Sequence, residues 1–246
     1  MRSYAIGDIH GHLDQLLAAH DRIAADRRAA GDDTAPVVHV GDLVDRGPDC
    51  RGVVEHLRAG IDSGENWVVL KGNHDRMFLG FLDDLKHHDP GLRSDLGWLH
   101  PRLGGGATLE SYGVREAASR PLAPVHAEAV ELVPAEHRAF IEALPTFYRR
   151  GEVVFVHAGI RPGIAVEDQT ETDLLWIREP FLSDRSDHGA LVVHGHTAID
   201  MATHYGNRLN LDSGVAYGGP LTAVVIEDRT AYALTPQGRM LLTPML

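Results

Sequence analysis

The chain has 246 residues, of which 43% are hydrophobic and 24% charged, a composition typical of a folded globular protein. Its formal net charge of −12 disfavours general binding to nucleic acids or to anionic membranes. The single cysteine, Cys50, excludes an intramolecular disulfide and a thiolate-rich zinc site. No signal peptide, membrane span or Pro-rich linker is evident, so we expect one domain over residues 1–246 of a soluble, cytoplasmic protein.

The first seventy-odd residues repeat one pattern three times: a short apolar run, a polar motif and a helical stretch. Apolar runs at residues 4–6, 37–40 and 67–70 predict buried strands. Apolar residues at helical spacing over 13–24 predict a first helix, and a second is expected over 49–57. The repeat predicts an α/β fold with βαβ units, a largely parallel sheet and ligands bound beyond the strand ends.

The segment at about residues 86–144 breaks this pattern. Its prolines and the triple glycine at 104–106 predict irregular chain with short helices, forming a cap or rim. Two buried strands are expected afterwards, over 152–156 and 190–193. Short strands at 208–211, 221–226 and 230–234 then alternate with turns, and we expect them to form a second, more antiparallel sheet packed on the first.

Polar residues follow five of the apolar runs within one to three positions, where a layered sheet would gather them at one edge. They are Asp8, His10, Asp42, Asn73, His157 and His196. Each taken alone has a commoner structural role, as an N-cap, a turn residue or a hydrogen-bonded core histidine. Together their oxygen and nitrogen ligands suit Mn²⁺, Fe or Zn²⁺, and they exceed the needs of one tetrahedral ion. We therefore expect two divalent ions, with Asp42 as the bridge between them.

The motifs resemble those of a known family. The blocks at residues 7–11, 41–47 and 72–75 resemble the three signature blocks of the phosphoprotein phosphatase family of calcineurin-like metallophosphoesterases, and those at 157–159 and 195–197 are similar to its two later histidine blocks. The resemblance implies a four-layer α-β-β-α sandwich with a dinuclear metal centre. It also implies ligands for each ion. The first would be held by Asp8, His10 and Asp42, and the second by Asp42, Asn73, His157 and His196.

The resemblance further implies hydrolysis of a phosphate ester by a water activated between two cations. Arg46 is the first expected phosphate anchor, because its planar guanidinium matches phosphate oxygens, and Arg178 resembles the second anchor of bacterial members. His74 is the candidate general acid, with Asp45 orienting it. Many members have Glu where this chain has Asp75, and we expect a weaker contact near His74 there.

These features predict a metal-dependent phosphomonoester hydrolase, and a bacterial-type serine/threonine protein phosphatase in particular. Its expected cofactors are two Mn²⁺ ions and its expected substrate a phosphoprotein or small phosphorylated molecule. The alternative is symmetrical bis(5′-nucleosyl)-tetraphosphatase activity, which base stacking on Trp98, Tyr112 or the pair Phe147-Tyr148 would support. The acidic balance disfavours a nucleic-acid phosphodiesterase. A non-catalytic binding protein would be expected to lack His74 or some ligands, and every one is present.

Overall fold

Two mixed β-sheets form the centre of the structure, a computed structural model that describes residues 1–245. The strands are β1 (Arg2–Ile6), β2 (Val37–His39), β3 (Trp67–Val69), β4 (Phe147–Arg150), β5 (Val153–Val156), β6 (Leu191–His194), β7 (Thr203–His204), β8 (Arg208–Asn210), β9 (Ala223–Glu227), β10 (Thr230–Thr235) and β11 (Gly238–Leu241). The first sheet has the order β11-β10-β9-β1-β2-β3 and the second β4-β5-β6-β8-β7. The strands β1, β2 and β3 are parallel to one another, as are β5, β6 and β8, and the other neighbours pair antiparallel.

Seven α-helices within residues 1–245 connect and cover these sheets. They are α1 (Leu13–Ala30), α2 (Cys50–Asp62), α3 (Asn73–Asp83), α4 (Gly105–Ser111), α5 (Leu122–Leu132), α6 (Ala135–Glu142) and α7 (Glu171–Trp176). Two short 3₁₀ turns lie at Val166–Asp168 and Val215–Tyr217. None of the helices in this part of the chain combines the length and the apolar character that crossing a membrane requires.

Alternate residues of each strand face different apolar clusters, which defines four layers. In β1, Tyr4 packs towards α1 and α2, while the neighbouring Ala5 packs between the two sheets. In β5, Phe155 joins that same inter-sheet cluster, while Val156 packs on the outer side with Leu174 of α7. The layers run helix, sheet, sheet, helix, and this confirms the predicted four-layer α-β-β-α sandwich.

The strands near the end of the chain do not form the second sheet in the way the sequence predicts. Strand β9 lies antiparallel beside β1, with Val224 opposite Ala5, and β10 follows it in the first sheet. Of the three expected strands, β8 alone belongs to the second sheet, where it is parallel to β6. The prediction was wrong for β9 and β10 because β9 is buried on both faces and so fits an interior position beside β1.

The segment between residues 86 and 144 contains the three short helices α4, α5 and α6. They contact α2 and α3 on the helical side of the first sheet. Its apolar side chains Trp98, Leu109 and Tyr112 are buried in the same cluster as the core of α1 and α2. The helices of the segment therefore pack against the helices that cover the first sheet.

Candidate active site

The structure brings together all six polar residues that the sequence placed after strands. Asp8 and His10 follow β1, Asp42 follows β2, Asn73 begins α3 after β3, His157 follows β5 and His196 follows β6. Four of them line a cavity of about 290 Å³: His10, Asp42, Asn73 and His196. Asp8 and His157 are buried directly behind its wall.

Asp42 lies between two groups of possible ligand atoms. Its Oδ2 is 3.4 Å from His10 Nε2, and its Oδ1 is 3.4 Å from His157 Nε2. The ligand atoms of His10, Asp42 and His74 lie within 4.8 Å of one another, as do those of Asp42, His157 and His196. The first group contains His74 where the sequence led us to expect Asp8. A carboxylate that belongs to both groups has the position expected of a bridging ligand.

The hydrogen bonds of two histidines fix which ring nitrogen faces the site. His10 Nδ1 lies 2.9 Å from the carbonyl of Val44, and His157 Nδ1 lies 2.9 Å from that of Val40. A carbonyl can only accept, so Nδ1 carries the proton and Nε2 presents a lone pair in each neutral ring. His157 Nε2 in turn lies 2.9 Å from Asn73 Oδ1, another acceptor. Two acceptors that face each other without a proton between them are a feature of a cation site.

Two further buried acceptors point to the same conclusion. Within the described residues, neither Asp8 Oδ1 nor His196 Nε2 has a hydrogen-bond partner. The other carboxylate oxygen, Asp8 Oδ2, accepts from the His196 backbone N–H at 2.9 Å. Unpaired buried acceptors are costly unless a ligand or ion satisfies them. The oxygen and nitrogen donors and their vacant lone pairs therefore fit divalent cations.

The electrostatics of the carboxylates also favour a positive ligand. Burial, reinforced by the charges of Asp212 and Asp42, raises the pKa of Asp8 well above its usual value. Burial alone would raise the pKa of Asp42, but the surrounding imidazoles, led by His157, bring it below its usual value. Burial also raises the pKa of Asp212 to about 6. Divalent ions would offset this concentration of acidic groups.

Several residues of the site have left-handed backbone conformations, which non-glycine residues rarely adopt. Their φ angles lie between 44° and 76°, and they are His10, Asp42, Asp45, Arg46 and His196. Such strained residues cluster where the surrounding structure holds functional groups in place. Gly195 leaves room for the carboxylate of Asp8, because a Cβ at this position would overlap Asp8 Oδ1. The loops after the strands are thus shaped around the carboxylates.

A histidine–aspartate pair and a guanidinium face the cavity beside these groups. His74 Nδ1 donates to Asp45 Oδ2 at 2.5 Å, which leaves His74 Nε2 turned towards the cavity. Arg46 donates to that Nε2 at 3.0 Å from Nη2 and to His10 Nε2 at 2.5 Å from Nη1. The exposed Arg178 lines the same cavity. The two predicted phosphate anchors and the predicted acid therefore share one cavity.

The sequence model of the calcineurin-like phosphoesterase family matches residues 1–226 of the chain. The chain belongs to this family. The phosphoesterase is 29% identical to serine/threonine-protein phosphatase 1 of Salmonella typhimurium over 233 residues, which cover 91% of each chain. It is 26% identical over 263 residues to the asymmetrical bis(5′-nucleosyl)-tetraphosphatase PrpE of Geobacillus thermodenitrificans, with 93% of this chain and 92% of the relative covered.

The fold of the phosphoesterase also resembles a solved structure. The cold-active protein-tyrosine phosphatase of a psychrophilic Shewanella species matches with a TM-score of 0.64 and 18% identity, covering 98% of this chain and 80% of that chain. At that identity the likeness concerns the fold alone. The family match and the similarity to the serine/threonine-protein phosphatase confirm the family that the motifs predicted. The protein is a hydrolase that acts on phosphoric esters.

Asp75 of the phosphoesterase has a different role from the expected contact near His74. Its Oδ1 accepts from the Leu43 N–H at 2.9 Å, and its Oδ2 accepts from the Gly72 N–H at 2.7 Å. Burial raises the pKa of Asp75 to about 7. The shorter aspartate therefore fastens the loop after β2 to the start of α3.

The aromatic residues at the cavity differ from those that the sequence suggested. Trp98 and Tyr112 are buried in the helix-side core, and Phe147 and Tyr148 lie on the edge strand β4, away from the cavity lining. The lining contains Trp176 and Tyr217 instead. Tyr217 is 71% exposed, and the guanidinium of Arg46 lies 5.5 Å from the centroid of its ring. Tyr217 could not be predicted from periodicity because it ends a short 3₁₀ turn.

Asp212 is the other functional candidate that sequence reasoning missed. It follows β8 and shapes a turn near the site by accepting from the Gly214 N–H at 3.0 Å. Its carboxylate also lines the cavity. Its position after a parallel strand, the same as that of the other site residues, was the signal that could have revealed it.

Proposed function

We propose that this phosphoesterase is a metal-dependent serine/threonine protein phosphatase that hydrolyses phosphomonoesters. The observation that carries the proposal is the shared cavity of His74 and the two arginines, beside two groups of ligand atoms that meet at Asp42. Asp8, His10 and Asp42 would hold one divalent ion, and Asp42, Asn73, His157 and His196 the other, with Mn²⁺ the preferred metal. When bound, such ions lower the pKa of water and polarise phosphoryl oxygens.

The guanidinium groups would bind and orient the phosphoryl group. Arg46 and Arg178 offer planar forks of N–H donors to its oxygens and neutralise the charge that they gain during transfer. Arg46 at present donates to His74 Nε2. A bound phosphate would compete for these donors and release Nε2, which is the atom that must carry the proton.

His74 would then supply the proton that a leaving alkoxide needs. With a proton on each ring nitrogen, it keeps the Nδ1 hydrogen bond to Asp45 and donates from Nε2 into the cavity. The buried carboxylate of Asp45 stabilises the imidazolium and holds the ring in this orientation. The pair thus supplies the proton for the acid step.

The size of the cavity supports a phosphoprotein substrate. At about 290 Å³, it can enclose a phosphoryl group and a short side chain, whereas a dinucleoside polyphosphate would extend over the surface. Two of the aromatic residues that could have stacked on bases, Trp98 and Tyr112, are buried elsewhere. The similarity to serine/threonine-protein phosphatase 1 agrees with this assignment.

Bis(5′-nucleosyl)-tetraphosphatase activity is the second candidate, and one observation favours it. The exposed ring of Tyr217 lies beside Arg46 at the rim, where a base could stack on it. The similarity to the asymmetrical tetraphosphatase PrpE points the same way. The sequence predicted the symmetrical reaction for this alternative, and the products distinguish the two modes of cleavage.

One Mn²⁺-loaded preparation should be assayed with a phosphoserine peptide and with diadenosine tetraphosphate, with His74→Asn as the matched control. We expect a higher kcat/KM for the peptide, lost in the control and abolished by a chelator. Preferential release of two ADP molecules, or of ATP and AMP, would assign the protein to the symmetrical or the asymmetrical tetraphosphatases instead. Absence of turnover with Mn²⁺, Fe²⁺ and Zn²⁺ on both substrates would refute the proposal.

A further inference from the structure

The carboxylate of Asp45 is held by more than its bond to His74. Its Oδ2 also accepts from the indole Nε1–H of Trp98 at 2.9 Å, and its Oδ1 accepts from the hydroxyl of Thr108 at 2.5 Å. The same Thr108 oxygen accepts from the Asp45 backbone N–H at 2.9 Å. Thr108 therefore binds Asp45 at both its main chain and its side chain.

These contacts replace the ion pair that a buried carboxylate usually has. Asp45, Trp98 and Thr108 are all buried, and among the described residues Asp45 forms no salt bridge with a lysine or an arginine. Hydrogen-bond donors in such a low-dielectric environment hold an anion strongly and in one orientation. Asp45 also has a φ of 76°, so regular secondary structure does not fix its side chain.

We infer that Trp98 and Thr108 are positioning residues for the acid step. The inference rests on the proposed role of His74. Neither residue lines the cavity, so each acts through Asp45 rather than on a substrate. With both carboxylate oxygens held, Oδ2 stays directed at His74 Nδ1, and Nε2 stays directed into the cavity. The segment between residues 86 and 144, whose Leu92, Leu96 and Leu103 line the cavity, thus also contributes to the site from behind the cavity wall.

The dependence on the leaving group separates this role from a structural one. p-Nitrophenyl phosphate releases a phenolate that needs little help from an acid, whereas a phosphoserine peptide releases an alkoxide that must be protonated. Thr108→Val, which keeps the shape and removes the hydroxyl, should lower kcat for the peptide about tenfold or more, with a much smaller effect on p-nitrophenyl phosphate and on either KM. Thr108→Ser should restore the activity, and Trp98→Phe should show a weaker form of the same selectivity.

A second measurement does not depend on turnover. In the metal-free protein, the His74 Nδ1 proton should give a far-downfield NMR resonance that is absent from His74→Asn. Thr108→Val should shift or broaden this resonance while the dispersed amide spectrum shows an intact fold, and Thr108→Ser should retain it.

The outcomes distinguish the positioning role of Trp98 and Thr108 from the proposed function. Equal losses on both substrates, or an unchanged resonance in Thr108→Val, would overturn the positioning role. A wild-type protein inactive on both substrates would refute the proposed function, and the NMR comparison would then still decide whether Thr108 and Trp98 hold the Asp45–His74 pair.

Discussion

Three histidines outside the candidate active site form a hydrogen-bonded chain that should make the fold sensitive to acid. His39 Nδ1 lies 3.3 Å from the Val68 carbonyl, so it donates and His39 Nε2 accepts. That nitrogen lies 2.9 Å from His20 Nε2, which must therefore donate, and His20 Nδ1 accepts from His56 Nε2 at 3.0 Å. All the bonds form when the three rings are neutral. A proton added to His39 or His20 would place a positive charge on a buried ring.

The pKa values give the size of the effect. Burial lowers the pKa of His39 to about 3 and that of His20 to about 2, and the neighbouring His39, His56 and Arg27 add to the lowering at His20. Unfolded histidine has a pKa of about 6.5. Because the folded pKa values are lower than the unfolded one, the contribution of the two neutral histidines to the free energy of unfolding is fully present above pH 6.5. It is lost as the pH falls towards 3. Below pH 6.5, each histidine lowers the free energy of unfolding by about 1.4 kcal/mol per pH unit. Because little is lost between pH 7 and pH 6.5, the pair lowers it by about 4 kcal/mol between pH 7 and pH 5.

Urea unfolding of the metal-free protein at pH 7, 6 and 5 would measure this dependence, with the double variant His20→Leu/His39→Leu as the control. The free energy of unfolding of the wild type should fall between pH 7 and pH 5 by about 4 kcal/mol more than that of the variant. The variant itself will be less stable at pH 7, so the comparison concerns slopes and not absolute values. Parallel pH profiles would show that the two imidazoles titrate normally in the folded protein and would refute the reasoning.

Three further predictions concern the site and its rim. Gly195→Ala should weaken Mn²⁺ binding, since the added methyl group displaces Asp8 Oδ1, and an unchanged affinity by calorimetry would contradict this. Asp75→Ala leaves two loop amides without an acceptor and should cost about 3 kcal/mol in urea unfolding, while Asp75→Asn, which keeps one acceptor, should cost less. Tyr217→Leu should reduce kcat/KM for diadenosine tetraphosphate about tenfold relative to a phosphoserine peptide, and equal effects would exclude base stacking on this ring.

The polar motifs could be predicted from the sequence because their information is local. An apolar run followed at once by Asp8 and His10, or by Asp42, shows both the strand and the polar groups at its end. Parallel strands then bring such ends to one edge, whichever residues lie between them. The family, the layered fold and the gathering of these side chains followed from that local order.

Other features depend on contacts between distant parts of the chain, which periodicity does not encode. The pairing of β9 with β1 joins residues more than two hundred positions apart, and it places β9 and β10 in the first sheet. The same is true of Trp98 and Thr108, whose bonds to Asp45 depend on how a segment without clear periodicity packs. Local spacing determines which residues a strand presents at its end. Tertiary packing alone decides which side chains meet there, because those contacts depend on shape and hydrogen bonding across the whole fold.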